Sequence, residues 1–262
     1  MLDFNYEGGY IVVKKQIIIL FIAVLIGLMF VGSAFPQVAK LIARWALDET
    51  AGNTVKDAVG KNDGKLEGGP SFVQAKFENG LKFTKTTGQY VEIEKADELE
   101  LADSLTAMVW VNVTSSAGRQ EIFCYGDSFV IHIDAGVFKA YIHQGGAFPR
   151  AIGKTPVETD KWNFLAATYD SKELKIYVNG VFDGSAKLPG GIAFLGLPLR
   201  FSNNPAAPAE AWGVQGIVDE VEMWDKPLTA DEIKMAYESP LAFLAVNSNG
   251  KLASVWGNFK RY

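Results

Sequence analysis

The chain has 262 residues, 48% hydrophobic and 21% charged, an ordinary globular balance that can bury a core. A formal charge of −5, from 25 basic and 30 acidic side chains with no basic stripe, argues against nucleic acid as a partner. The single cysteine, Cys124, excludes an intramolecular disulfide, and its apolar surroundings, EIFCYGDSFVIHI, read as those of a buried, inert thiol.

The first element is VKKQIIILFIAVLIGLMFVGSAF. Two lysines precede an unbroken apolar run over 17–31, and the small residues Gly32, Ser33 and Ala34 follow. That is the layout of a secretory signal, so residues 1–34 are expected to form a hydrophobic signal helix cleaved after Ala34. The run is short of the roughly 20 apolar residues a spanning helix needs. Secretion to an extracellular or periplasmic space is the expected localisation. The alternative is a membrane anchor formed by an uncleaved 17–31, the only part of the chain expected to meet a membrane. Residues 1–12 are unusual ahead of such a segment, and a start near Val13 would leave the common short basic form.

Strand signals follow in close order. LIARWAL at 41–47 is a first strand, and Asp63-Gly64 marks a turn. Asn79-Gly80 stands between two short apolar runs, a strong hairpin signal. GQYVEIE alternates, while LTAMVWVNV at 105–113 is nearly all apolar or β-branched, as a strand buried on both faces should be. SFVIHID and GVFKAYIHQ flank an Ala135-Gly136 turn; KWNFLAATYD leads to a further hairpin around Asn179-Gly180. LRFSN and GIVDEVEMWD complete the series. Turn signals about every ten residues, with almost no helical periodicity, argue for an all-β sandwich.

One helix is expected near the C-terminus. Thr229 and Glu232 form a capping box after Pro227, Asp231 and Glu232 suit the first turn, and Pro240 ends the run. The loop NNPAAPAEAWG at 203–213 reads as a surface rim. The tail, 239–262, reads as a short hairpin of two apolar strands around Asn249-Gly250, covering a sheet edge or docking on another chain.

Four pieces in order carry a resemblance. RWALDETAGNTVKDAVGKNDGKL, ENGLKFTKTTGQYVEI, KWNFLAATYDSKELKIYVNGVFDG and GIVDEVEMWDKPLTADEIKMAY resemble the laminin G-like domains of the concanavalin A-like jelly-roll superfamily. The likeness covers 41–238. It implies a two-sheet antiparallel jelly-roll sandwich with a concave face and, often, a structural calcium. By the same resemblance Asp219 would ligate calcium, with Asp48 in ALDET as the matching first-strand acid.

The carboxylates of the last strand were the candidates for chemistry. Strict alternation places Ile217, Asp219, Val221 and Met223 on one face, and Val218, Glu220, Glu222 and Trp224 on the other. The superfamily's glycosidases resemble one another in a Glu-x-Asp-x-Glu strand; here Ile217 and Val221 stand where the flanking acids would be. Glu220 and Glu222 share a face and are expected to be solvated, with Trp224 packed at their end. Aromatic and polar residues that would line a rim or concave ligand site are Trp212, Tyr125, His143 and Arg150. The expected function is a secreted, non-catalytic binding module for carbohydrate or another extracellular macromolecule. A glycan hydrolase or lyase on the same fold, and a structural cell-surface assembly protein, are the alternatives.

Overall fold

A computed structural model describes residues 39–85 and 88–247. In chain order its strands are β1 (Leu41–Trp45), β2 (Thr54–Val55), β3 (Gly64–Glu67), β4 (Ser71–Gln74), β5 (Asn79–Phe83), β6 (Tyr90–Ile93), β7 (Leu105–Val113), β8 (Gln120–Tyr125), β9 (Phe129–Asp134), β10 (Val137–Ile142), β11 (Arg150–Pro156), β12 (Trp162–Tyr169), β13 (Glu173–Val178), β14 (Val181–Lys187), β15 (Leu199–Phe201) and β16 (Gly216–Trp224). Helices α1 (Ala230–Glu238) and α2 (Pro240–Asn247) follow. The expected signal segment, 1–34, lies outside the described residues. Among those described, no helix is long and apolar enough to cross a membrane.

The strands make two antiparallel sheets. The first runs β14-β13-β12-β7-β16-β5-β4, with β1 added along β16; the second runs β11-β10-β9-β8-β15-β6-β3-β2. Between them lies the main core, to which β7 gives Leu105, Ala107, Val109, Val111 and Val113, and β8 gives Phe123 and Tyr125. The opposite face of β7 supplies Met108 and Trp110 to a second cluster, with Trp224 of β16 and Ile233, Ala236, Phe243 and Leu244 of the helices. Both faces of β7 are therefore buried, as its nearly all apolar or β-branched run requires. Each fully buried side chain of this size stabilises the fold by about 1.5–3 kcal/mol.

The turns show which local signals held. Asn179 and Gly180, at φ 49° and 79°, form the tight turn between β13 and β14. Asn79-Gly80 does not turn: the β4–β5 hairpin reverses over 75–78, closed by Ala75 N–H donating to the Glu78 carbonyl, and Asn79 already belongs to β5. Gly80 is needed for another reason, since a Cβ there would stand 2.7 Å from the Ala75 Cβ and 2.8 Å from the Val218 carbonyl oxygen. The capping box of α1 is present in full.

The start of the tail departs from expectation. Residues 240–247 form a helix where the first hairpin strand was expected. Pro240 suits the first helical turn, where its missing N–H leaves no bond unmade. The adjacent pair Phe243 and Leu244 packs on the Trp224 side of the first sheet, Phe243 with its ring 5.1 Å from that of Trp224. Residues 248–262, with Asn249-Gly250, lie outside the described part.

The two sheets also meet edge to edge. Asp183 of β14 accepts hydrogen bonds from the N–H of Lys154, the N–H of Thr155 and the Thr155 hydroxyl, all on β11. Asp183→Ala would remove the shared acceptor of both N–H groups and the hydroxyl, at about 0.5–1.5 kcal/mol per hydrogen bond. A urea melt of Asp183→Ala is expected to show a lower midpoint with unchanged slope, a loss of roughly 2–4 kcal/mol. An unaltered midpoint would show that the seam carries no stability.

Candidate functional site

Alternation along the second sheet turns Phe123 and Tyr125 inward and leaves Glu121 and Cys124 on its outer face, after a bulge between Glu121 and Phe123. Two cross-strand rows occupy that face. Arg200, Cys124, Val130, Tyr141 and Arg150 are successive partners across β15, β8, β9, β10 and β11. Glu121, His132 and Lys139 form the adjacent row. Lys139 is tied to Asp134 at 2.6 Å, and Arg200 to Glu92 at 2.7 Å.

The middle of this face is a closed polar cluster. Arg119 Nε donates to Glu121 Oε1 at 2.7 Å, and its Nη2 donates to the Tyr141 hydroxyl at 2.9 Å. The Tyr141 hydroxyl donates in turn to Asp127 in a short hydrogen bond, and Asn204 Nδ2 donates to the same carboxylate at 2.9 Å. The Arg119 guanidinium lies 4.1 Å from the centre of the Trp212 ring. Burial pushes the Glu121 carboxyl and the Cys124 thiol upward, so Cys124 is the inert thiol its sequence context suggests. Burial also pushes His132 down to about 3, with the positive charge of Arg119 adding to the effect, so the imidazole is neutral across the physiological range.

The four expected ligand residues separate here. Trp212 is half-buried over Arg119, and Arg150 is exposed at the start of β11, beside Tyr141 in the row. His143 follows β10; its Nδ1 lies 2.9 Å from the Ala193 carbonyl and its ring stands 5.2 Å from Phe148. Tyr125 is a correction. It is 1% exposed, points between the sheets and donates its hydroxyl to the Ala96 carbonyl, because a residue two places from Phe123 shares that residue's inward face. Sequence reasoning passed over Arg119, Glu121, Asp127, His132 and Tyr141. Their only sequence signal was charged residues recurring inside the strand run 119–141, which period alone does not distinguish from solvated positions.

The last strand holds a second constellation. A bulge lies between Asp219 and Glu222, with Glu220 at φ 49°. It shifts the alternation by one residue. Val218, Val221 and Met223 all face the main core, while Asp219, opposite Trp110, and Glu222, opposite Met108, fall on the outer face of the first sheet. The strict face assignment read from the sequence is thus corrected. So is the expectation that Glu220 and Glu222 are solvated. Arg44 of β1 grips Glu220 through Nε and Nη2 at 2.9 and 2.6 Å, and Glu222 accepts from Trp224 Nε1 at 3.0 Å. The helices cover this side, and the acid pair borders a cavity of about 270 Å³ walled by Trp110, Phe164 and Leu244. With Arg44 bound to one acid and Trp224 to the other, the pair is arranged for structure.

Asp219 and Asp48 lie where β1 stops and β5 begins along the same edge of β16. Asp219 is fully buried; Oδ2 accepts from the Phe77 N–H at 2.9 Å, and Oδ1 has no hydrogen-bond partner. Asp48 accepts from the Asn79 N–H at 3.3 Å. Burial, reinforced by the neighbouring acid Glu220, pushes Asp219 up to about 8 and Asp48 up to about 7. An orphaned buried oxygen between repelling acids fits a cation. Among the described residues no three His, Cys, Asp or Glu side chains cluster as metal ligands, so backbone oxygens would have to complete the shell. That donor set suits calcium rather than zinc.

Residues 85–234 match the family model described as the Concanavalin A-like lectin/glucanases superfamily. The fold superposes on the binding domain of Paraclostridial Mosquitocidal Protein 1, at TM-score 0.62 and 14% identity over 77% of this chain and 52% of that one. It also superposes on domain 4 of AbnA, a GH43 extracellular arabinanase from Geobacillus stearothermophilus, in complex with arabinotriose. There the TM-score is 0.58 and the identity 17%, over 77% of this chain and 100% of that one. The receptor binding domain of botulinum neurotoxin C/D mosaic serotype matches at TM-score 0.59 and 14% identity, over 76% and 51%. The chain thus spans about half the length of the toxin domains and all of the arabinanase domain. At these identities the likeness is one of fold. No curated protein matches the chain by sequence.

A neutral buried imidazole makes the fold acid-sensitive. The folded value of about 3 lies below the ordinary 6.5, so the unfolded chain takes the proton first. His132 then removes stability progressively as pH falls from 6.5 towards 3, at no more than about 1.4 kcal/mol per pH unit. The His132→Phe variant is expected to show a shallower decline between pH 6.5 and 4 in urea melts. Parallel curves for the two proteins would contradict the buried neutral assignment.

Proposed function

We propose a binding function for this chain, which belongs to the Concanavalin A-like lectin/glucanases superfamily. It acts as a non-catalytic module, secreted or held at a membrane by 17–31, that recognises carbohydrate or another extracellular macromolecule. The observation that carries this reading is the outer face of the second sheet. There Arg119, Tyr141, Asp127, Asn204 and Trp212 form one hydrogen-bonded and stacked assembly on rigid strands and an adjoining loop. Such an assembly suits recognition: apolar rings beside fixed donors and acceptors are what a polar ligand needs. The arabinanase domain, whose own ligand is arabinotriose, supports the glycan half of the reading.

The hydrolase alternative has less support. Acid and nucleophile must flank the scissile bond as a pair. Glu220 and Glu222 are the one acid pair singled out, and Arg44 and Trp224 occupy them. Calcium would have a structural part. Asp219 and Asp48 would hold it, and its charge would offset the repulsion between the buried acids of β16 and the loop after β1.

Two measurements test this. On a glycan and matrix-protein array, the chain is expected to bind a discrete ligand set; binding to nothing, with calcium or with chelator, would favour the assembly alternative. In thermal melts, calcium at about a hundred times its Kd is expected to raise Tm by roughly 5–10 °C, and Asp219→Asn to abolish that rise. A Tm indifferent to calcium and chelator would remove the metal from the account.

A further inference from the structure

Glu121 and His132 are direct cross-strand partners on the outer face of the second sheet. Side chains so placed stand about 5 Å apart at Cβ. Both are buried, at 0% and 1% exposure, and each keeps one polar atom without a hydrogen-bond partner: Glu121 Oε2 and His132 Nδ1. Cys124 and Asn204 also stand by the Glu121 carboxylate and favour its charged form, and Asn204 Nδ2 donates to Asp127. A buried polar atom left unmade costs about 1–3 kcal/mol. Two on the same rung of one ladder mark a place where a partner is missing.

We propose that Glu121 and His132 form a subsite for an uncharged, hydroxyl-rich ligand, with one hydroxyl donating to Glu121 Oε2 and a neighbouring hydroxyl bonding His132 Nδ1. This rests on the binding reading and assigns the place and the charge of its ligand. A hydroxyl is the group that fits both atoms. It donates to a carboxylate, and it can donate to or accept from an imidazole nitrogen, so it suits either tautomer. Two adjacent hydroxyls on one ring carry both roles at once.

The surroundings select against charge. An anion entering here would meet the carboxylates of Glu121 and Asp127; Arg119 is engaged with Glu121 and Lys139 with Asp134, and the exposed Arg150 stands in the next row, beyond Tyr141. A cationic ligand would meet the Arg119 guanidinium. The route in passes Arg119, whose side chain is 27% exposed and forms the outer wall of the cluster, stacked on Trp212. The Arg119 Nε bond to Glu121 Oε1 is kept, Oε2 is left for the ligand's hydroxyl, and the half-buried Trp212 ring stands beside it for the ligand's apolar face.

The test is calorimetric titration of the full chain with arabinotriose, xylotriose and trigalacturonate. A neutral trisaccharide is expected to bind and the uronate to bind at least about tenfold more weakly. Glu121→Gln and His132→Phe are each expected to weaken the neutral sugar about tenfold, or roughly 1.4 kcal/mol. Should either variant fail to fold, the imidazole nitrogen resonances of the unmodified protein decide instead, because His132 Nδ1 must shift when the sugar saturates. Sugar binding with variants within about twofold of the original, or with a still imidazole signal, would overturn the subsite and leave the binding reading intact. Tighter binding of the uronate would overturn it too. No binding to any of the three, together with an empty glycan array, would overturn both.

Discussion

The clasp between Arg44 and Glu220 is the constraint on which the rest of this fold depends. β16 cannot run straight through its own acids. At Glu220 the backbone enters the left-handed region and one extra residue is accommodated, and at that point the strand changes neighbours. Before the bulge its free edge pairs with β5; after it, the same edge pairs with β1. Arg44 reaches from β1 to both glutamates and fixes the register of the second pairing. Burying charges costs several kcal/mol per ion, and a close bidentate pair offsets that only when its geometry is good. The return is positional. Trp224 lands under α2, and Asp219 lands beside Asp48 in the gap between the two partner strands.

Much of the architecture was legible because strand and turn signals here are local. The apolar run of β7, the Ala135-Gly136 and Asn179-Gly180 turns, and the capping box at Thr229 each act within a few residues, and each stands where the chain predicts it. What escaped was long-range. Nothing in VDEVEMW announces a bulge, since its cause is an arginine 176 residues away along the chain. The helix at 240–247 carries two Leu and two Ala, good helix formers, and its apolar run reads as a strand only because eight residues are too few for period to decide; its Phe243 packs on Trp224. Tyr125 shows a different failure. Its residue type suits a ligand site, but alternation from Phe123 turns it into the core.

The two outer faces have been put to different uses. On the first sheet, α1 and α2 lie over Met108, Trp110 and Trp224, so that face is closed by the chain itself. On the second sheet no helix intervenes among the described residues. Its outer face is covered by side chains, Arg119 and Trp212, and by the loop carrying Asn204. A face closed by packed helices opens only with loss of core. One covered by an arginine, a tryptophan and a loop can be reached by small side-chain shifts, on the timescale of side-chain motion, without loss of core. That difference in the cost of access is the reason the proposed recognition site is put on the second sheet.

The distribution of unmade hydrogen bonds follows the same division. Native folds pair nearly all their buried polar atoms. Among the described residues five buried side-chain atoms remain without a partner, and three of them are Asp219 Oδ1, Glu121 Oε2 and His132 Nδ1. None of the three is at a frayed end; each is on a strand with neighbours on both sides. At Asp219 the vacant oxygen belongs to an acid crowded by other acids, which calls for positive charge. At Glu121 the vacant oxygen belongs to an acid already paired with Arg119, and its neighbour is a neutral imidazole, which calls for a dipole instead. One sandwich therefore keeps two unmet demands of opposite kind, one on each sheet. A cation at the first would hold the fold, and a hydroxyl at the second would be what the proposed site recognises.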